Sequence, residues 1–215
     1  MPYLFTALLG YSLGCINPAY ILARIKGFDI HEKGSGNAGA SNALITMGKL
    51  RGFFCAAFDI AKAALAVLLA RLLFPNVDTF AVSASCAILG HIFPFYLRFR
   101  GGKGLACLCG AVLVYDLRVF GILLACEAVL LLITKYICFV PMTASAVMPW
   151  IYGCMRRDLW GAMLLAAVAV VIFCKHFINL RRIREGRELR ISYLWNRDRE
   201  ALRLKKYYPK EEDTL

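Results

Sequence analysis

Between Pro2 and Ala23 the chain carries no charged side chain, and apolar stretches of similar length recur along it, separated by short basic patches. A helix of about 20 apolar residues spans a hydrocarbon core roughly 30 Å thick, and inside that core every backbone polar group must find its partner within the protein. A chain built this way has little choice but a bundle of membrane-crossing helices. The composition agrees: 60% of the 215 residues are hydrophobic and only 19% charged, whereas a soluble domain is about 45–50% apolar. No polar block of domain size interrupts the pattern. Residues 1–190 are therefore expected to form one membrane-embedded domain, and residues 191–215 a charged cytoplasmic tail.

The predicted architecture is all-α and integral to the membrane, a bundle of seven transmembrane helices with the N-terminus outside and the C-terminus cytoplasmic. The expected spans are Pro2 to Ala23, Phe53 to Phe74, Thr79 to Leu97, Leu105 to Tyr115, Val119 to Thr134, Ile137 to Met155 and Leu159 to Phe173. The cations after the first run, Arg24 and Lys26, argue against a cleaved signal peptide, which needs a basic segment in front. Lysine and arginine collect on the cytoplasmic side, and this orientation puts 21 of the 26 there. Only Arg71, Arg118, Arg156 and Arg157 fall outside, with Lys62 in mid-span. Leu105 to Tyr115 is short, about 16 Å of helix, and must be shielded by its neighbours if it crosses. Asp59 and Lys62 lie i and i+3 on one helical face inside a span, where a mutually neutralising pair costs far less than a lone charge in lipid.

Nine cysteines are scattered through the apolar runs without CxxC or Cys/His spacing. They read as small packing residues, and neither a zinc site nor redox chemistry is supported.

Two glycine-rich polar stretches fall on the predicted inner side: GSGNAGASN, Gly34 to Asn42, and GHIFPFYLRFRGGKG, Gly90 to Gly104. Gly101, Gly102 and Gly104 can let backbone amides approach an oxyanion, and Lys103 adds a point charge, which is phosphate-binding chemistry. The spacing is not that of a nucleotide-binding P-loop, since no Ser or Thr follows Lys103. A tight basic turn at the membrane surface is the alternative for this stretch taken alone. A third segment, His176 to Glu188, is expected on the same side. Ser35, Asn37 and Asn42 offer neutral donors, Lys103 a cation, and His176, Asn179 and Arg182 a further wall. Such a pocket suits a phosphate ester, handled either by an enzyme of lipid synthesis or by a transporter of organic anions.

Five blocks carry a resemblance: SLGCINPAYILA (Ser12 to Ala23), GSGNAGASNAL followed by GK (Gly34 to Lys49), Asp59 with Lys62, GHIFPFYLRFRGGKGLA (Gly90 to Ala106) and KHFINLRRIREGRE (Lys175 to Glu188). In that order they resemble the acyl-phosphate-dependent glycerol-3-phosphate acyltransferases of bacteria, from about Leu9 to about Arg190. The resemblance implies a seven-helix enzyme of the bacterial cell membrane with its motifs facing the cytoplasm. It would transfer a fatty acyl group from acyl phosphate to the 1-hydroxyl of sn-glycerol 3-phosphate, giving lysophosphatidic acid and phosphate. It further implies catalytic or phosphate-binding roles for Ser35, Asn37, Lys103, His176 and Asn179, and loop-shaping roles for Gly34, Gly36, Gly39, Gly101, Gly102 and Gly104. His91 and Glu188 also match motif positions, as substrate-binding or structural groups. An acyl phosphate is already activated, so alignment of the hydroxyl and stabilisation of carbonyl charge suffice, with the donor's own phosphate able to take the proton.

The thioester-dependent acyltransferase signature, a His with an Asp five positions later, is absent: His31, His91 and His176 are followed at that distance by Gly36, Tyr96 and Arg181. Three departures from the family pattern stand out. Ile45 replaces an arginine, Cys107 a threonine, and Ser41 a threonine. The expected partners are acyl phosphate, glycerol 3-phosphate and membrane lipid. No metal or cofactor, nucleic acid or obligatory protein partner is called for. The alternatives are a non-catalytic or transporting membrane protein that binds an organic phosphate, and an acyltransferase with another polyol-phosphate acceptor.

Overall fold

The computed structural model describes residues 1–205, apart from the side chains at 197, 201, 204 and 205; the remainder of the predicted tail, 206–215, lies outside the described residues. The described chain is entirely helical: α1 Pro2–Cys15, α2 Pro18–Ile25, α3 Ala40–Met47, α4 Lys49–Leu73, α5 Phe80–Ile92, α6 Leu105–Tyr115, α7 Leu117–Thr134, α8 Phe139–Arg156, α9 Leu159–Arg184 and α10 Arg197–Lys205, with short 3-10 turns at Phe95–Leu97 and Ile191–Leu194. Five segments are long and apolar enough to cross a membrane: Pro2–Ile25, Lys49–Leu73, Phe80–Leu97, Leu117–Thr134 and Leu159–Arg184. α6 is apolar but shorter.

The first predicted span is broken. Pro18 cannot donate to the preceding turn and forces Asn17 into an extended conformation, φ −114° and ψ 98°, as the residue before a proline prefers. The break frees the carbonyls of Cys15 and Ile16, which are taken up by the Tyr96 hydroxyl at 2.8 Å and the Lys62 ammonium at 2.5 Å. Asn17 then caps α2 through Tyr20 N at 2.8 Å and donates to the Ala38 carbonyl at 2.8 Å, which pins the first polar loop to the bundle.

α1 and α5 pack most closely. A Cβ on Gly14 or Gly90 would overlap the backbone of the facing helix at Ala87 or Tyr11, the close approach that small residues permit where dispersion rather than water drives helix association. The core is lined by α4, α5, α6, α8 and α9, with Ala63, Ile88, Ala111, Met148 and Ile172 among its buried members. α7, by contrast, buries no residue, and Ile122, Leu124, Val129 and Leu132 lie more than half exposed, as on a lipid-facing helix.

The two ends of the bundle differ. At one end the turns after α4, α6 and α8 meet: Arg156 lies 3.6 Å from Asp78 and 5.4 Å above the Tyr115 ring, and Tyr152 bonds Asp158 at 3.0 Å. The three polar segments gather at the other. α9 continues well past the predicted end at Phe173, carrying Lys175, His176, Asn179 and Arg182 on helix rather than loop.

Candidate active site

The glycine-lysine stretch begins where α5 ends. Gly101 and Gly102 donate their amides to the Ile92 and His91 carbonyls, each at 3.0 Å, so these two amides close the helix end and are not the free anion donors expected of them. Their contribution is shape. A Cβ on Gly102 would fall on the His91 ring, and the loop lies flat on that imidazole.

His91 in turn rests on the buried pair foreseen in α4. Lys62 Nζ lies 2.6 Å from Asp59 Oδ1 and 3.1 Å from His91 Nδ1 while donating to the Ile16 carbonyl, and His91 Nδ1 is itself 3.3 Å from the same Asp59 oxygen. Asp59, Lys62 and His91 are all at most 4% exposed. The three form a strut joining the α1–α2 break to the underside of the loop, and His91, 3% exposed, supports the loop from beneath. Asp59, His91 and Cys107 would have metal-ligand spacing, but the Lys62 ammonium already supplies the positive charge within that cluster. Cys107, at the position where the family pattern has threonine, donates its thiol to the Asp59 carbonyl at 3.5 Å.

Above the loop, Lys103 Nζ donates to Asn179 Oδ1, and Asn179 Nδ2 donates to Glu188 Oε1 at 2.6 Å. The two bonds fix the orientation of the amide. Asn179 and Glu188 are each 7% exposed. Burial pushes the Lys103 pKa down to about 8 against the pull of the nearby Glu188 carboxylate, and the Arg182 guanidinium lowers it further. Burial likewise raises Glu188 above the usual carboxylate range. The result is a desolvated cation whose interaction with an incoming phosphate is strong because little water competes.

One turn before Asn179 on the same face of α9, His176 has its Nδ1 2.7 Å from the Ile172 carbonyl. A carbonyl only accepts, so Nδ1 carries the proton and Nε2 holds the lone pair. No protein group among the described residues bonds Nε2.

The first polar loop reaches the same place. His31 Nε2 lies 2.6 Å from the Arg100 carbonyl, and a Cβ on Gly39 would sit 3.7 Å from the Gly102 Cα. Within this loop Asn42, expected as a substrate donor, is fully buried and committed to the loop itself: it accepts from Ser35 N at 2.8 Å and donates to the Ile30 and Lys33 carbonyls at 3.0 Å. Sequence could not separate it from its neighbours, because an inward and an outward asparagine look alike. Ser35 and Asn37, half-buried, have no side-chain hydrogen bond among the described residues and remain available. Gly34 and Gly36 take left-handed φ values of 58° and 70° here, and Gly104 takes 95° at the start of α6. Ile45 lies half-buried on α3, and Arg51, a candidate replacement for the missing cation, is committed to the Met47 carbonyl at 3.0 Å.

The residue missed by the sequence reading is Arg203. It donates to the Gly186 and Glu188 carbonyls at 2.6 Å each and pairs with Glu200 at 2.8 Å, so the predicted tail folds back to hold the loop that carries Glu188. Its only sequence signal is an Arg three positions after a Glu in a charged stretch.

Comparisons with known proteins bear on this arrangement. The sequence model of a family described as glycerol-3-phosphate acyltransferase matches residues 4–186. Glycerol-3-phosphate acyltransferase 1 of Deinococcus radiodurans is 34% identical over 193 residues, 88% of this chain and 96% of that protein. A glycerol-3-phosphate acyltransferase of Thermus thermophilus is 35% identical over 192 residues, 87% and 94% of the two chains. Among solved structures, PlsY (YgiH), an integral membrane glycerol 3-phosphate acyltransferase in its glycerol 3-phosphate form, superposes with a TM-score of 0.80 at 27% identity, over 89% of this chain and 96% of that one. The lysophosphatidic acid form of the same enzyme gives 0.75.

Proposed function

The chain belongs to the glycerol-3-phosphate acyltransferase family, and from that premise we propose how it acylates glycerol 3-phosphate and from what donor. It is a membrane-integral acyltransferase of phospholipid synthesis. The donor we assign is acyl phosphate, the acceptor oxygen the 1-hydroxyl, and the products lysophosphatidic acid and phosphate. The hydroxyl oxygen attacks the acyl carbonyl carbon, the bond from that carbon to the phosphate oxygen breaks, and phosphate leaves with the electron pair. The hydroxyl proton ends on the departing phosphate, directly or by way of His176 Nε2.

The observation that carries this reading is the Lys103–Asn179–Glu188 chain set one helical turn from a histidine of fixed tautomer. A half-buried lysine with one neutral partner has donors left for a phosphate, and Ser35 and Asn37 add two unspent polar groups on the loop that packs against Gly102. Arg182, close enough to act electrostatically on both Lys103 and Glu188, completes the anion-binding wall.

The topology we assign is seven crossings, N-terminus outside, with α6 and α8 joining the five long apolar segments and the site opening to the cytoplasm, with residues 1–190 as the acyltransferase domain. Its support is the gathering of Arg24, Lys26, Arg98, Arg100, Arg181, Arg182, Arg184, Arg190 and Arg203 at the site's end of the bundle, against Arg71, Arg118, Arg156 and Arg157 at the other. In bacteria this is the cell membrane.

Purified protein with acyl phosphate and glycerol 3-phosphate should release phosphate only when both are present, and acyl thioesters should not replace the donor. Lys103→Met should abolish release while the melting temperature in detergent holds. Phosphate release that persists in that variant would remove Lys103 from the site, and formation of lysophosphatidic acid with release of free thiol from an acyl thioester would overturn the donor.

A further inference from the structure

Away from Lys103, a cavity of about 640 Å³ lies between the end of α7, the Ile191–Leu194 turn and α10. Its wall holds four cations, Lys135, Arg190, Arg199 and Arg203, against one acid, Glu200. That acid is already satisfied, by Arg203 at 2.8 Å and by the Ser192 hydroxyl at 3.0 Å. Among the described residues the side chains of Lys135, Arg190 and Arg199 have no carboxylate within ion-pair distance; the Arg190 guanidinium lies against the Tyr136 ring and donates to its hydroxyl. A chamber with this excess of positive charge is built for an anion.

The apolar part of the wall narrows the choice. Leu132 and Trp195, 72% and 68% exposed, stand at the rim. Leu132 belongs to α7, the helix that buries none of its residues and so meets lipid along its length. Tryptophan beside basic side chains at the end of such a helix marks the level of the headgroups. The volume accommodates a phosphate with its glycerol but not two acyl chains, for which the exposed face of α7 offers a path.

We propose that this cavity is a binding site for the phosphate headgroup of an anionic phospholipid, distinct from the acyl-transfer site. Phosphate oxygens meet Lys135, Arg190 and Arg199, neutral donors such as Asn196 meet the glycerol hydroxyls, and the chains lie along α7 past Leu132. Arg203 belongs to this wall and also holds the Glu188 loop, so the headgroup site and the acyl-transfer site share one residue.

The test uses the full chain purified in detergent with equal amounts of phosphatidylglycerol and phosphatidylcholine, with retained lipid counted by native mass spectrometry. Phosphatidylglycerol should be retained in preference. Lys135→Gln with Arg199→Gln should weaken that retention by about fivefold for each cation removed. The charge-matched control, Lys26→Gln with Arg184→Gln, should leave it in place. Equal loss in both double variants would show nothing more than general surface charge and overturn the proposal, as would equal retention of the two lipids. An excess of inorganic phosphate distinguishes the source of the anion: a lipid site keeps its phosphatidylglycerol, whereas displacement would mark a site for soluble phosphate and overturn the lipid assignment. Unchanged melting temperatures in both double variants show that the comparison is between folded proteins.

Discussion

Asn179 donates its amide proton to Glu188 at 2.6 Å and accepts from the Lys103 ammonium at its carbonyl oxygen, so one side chain joins the site's cation to a buried carboxylate. The Lys103 pKa, held near 8 by burial, is raised by Glu188 and lowered by Arg182. Lysine binds phosphate only when protonated, so kcat/KM for glycerol 3-phosphate, which reports the free enzyme, should fall as pH rises through about 8. Glu188→Gln removes a charge that favours the ammonium and should move this alkaline limb to lower pH. Arg182→Gln removes a charge that disfavours it and should move the limb up. A pH profile of each variant checks both directions, and a limb that stays put in both would detach it from Lys103.

His176 carries its proton on Nδ1 because the Ile172 carbonyl can only accept. His176→Ala should lower kcat by about 10²–10⁴ if Nε2 relays the hydroxyl proton, the usual size of such a contribution. Retention of kcat with a raised KM would instead give the proton to the donor phosphate and leave His176 a binding role. Phosphate-release kinetics at saturating substrate separates the two.

The Asp59–Lys62 pair is nearly fully buried. Removing one partner leaves an uncompensated charge, so Lys62→Met should cost about 3–5 kcal/mol, and the double variant with Asp59→Asn less than Lys62→Met alone. Thermal unfolding in detergent reads the difference. Because Lys62 also holds His91 beneath the glycine-lysine loop, the single variant should lose acyl transfer even where it stays folded.

Much of this was legible in the chain before any coordinates. The apolar runs gave a helical membrane protein, and the spacing of Asp59 and Lys62 gave their pairing. The convergence of Gly34–Asn42, Gly101–Gly104 and His176–Glu188 followed from placing basic segments on one side. What escaped was where each polar group spends its hydrogen bonds. Gly101, Gly102 and Asn42 look like ligand donors in sequence, but helix α5 has carbonyls to satisfy at its end and a loop pinned at both ends must satisfy its own backbone. The first span, Pro2–Ile25, is long and apolar enough to cross as expected but is two helices and not one, for a local reason, Pro18. α9 runs past the expected span end at Phe173 to Arg184, because a helix leaving the membrane can continue as long as its cations reach water.

Arg203 shows how far the site extends beyond the family's matched range, which ends at residue 186. Its two bonds to the Gly186 and Glu188 carbonyls are charge-assisted, each worth about 1.5–3 kcal/mol where desolvated. Without them the Glu188 loop would move, Asn179 would lose its acceptor, and Lys103 would lose the carboxylate that favours its charge. Arg203→Met should therefore lower kcat/KM for glycerol 3-phosphate by about tenfold and shift the alkaline limb to lower pH, as Glu188→Gln does. Arg203→Lys, which keeps a cation but not the forked geometry, should recover only part of this. A purely structural role would lower the melting temperature and leave the position of the limb unchanged, and that result would end the connection from Arg203 to Lys103.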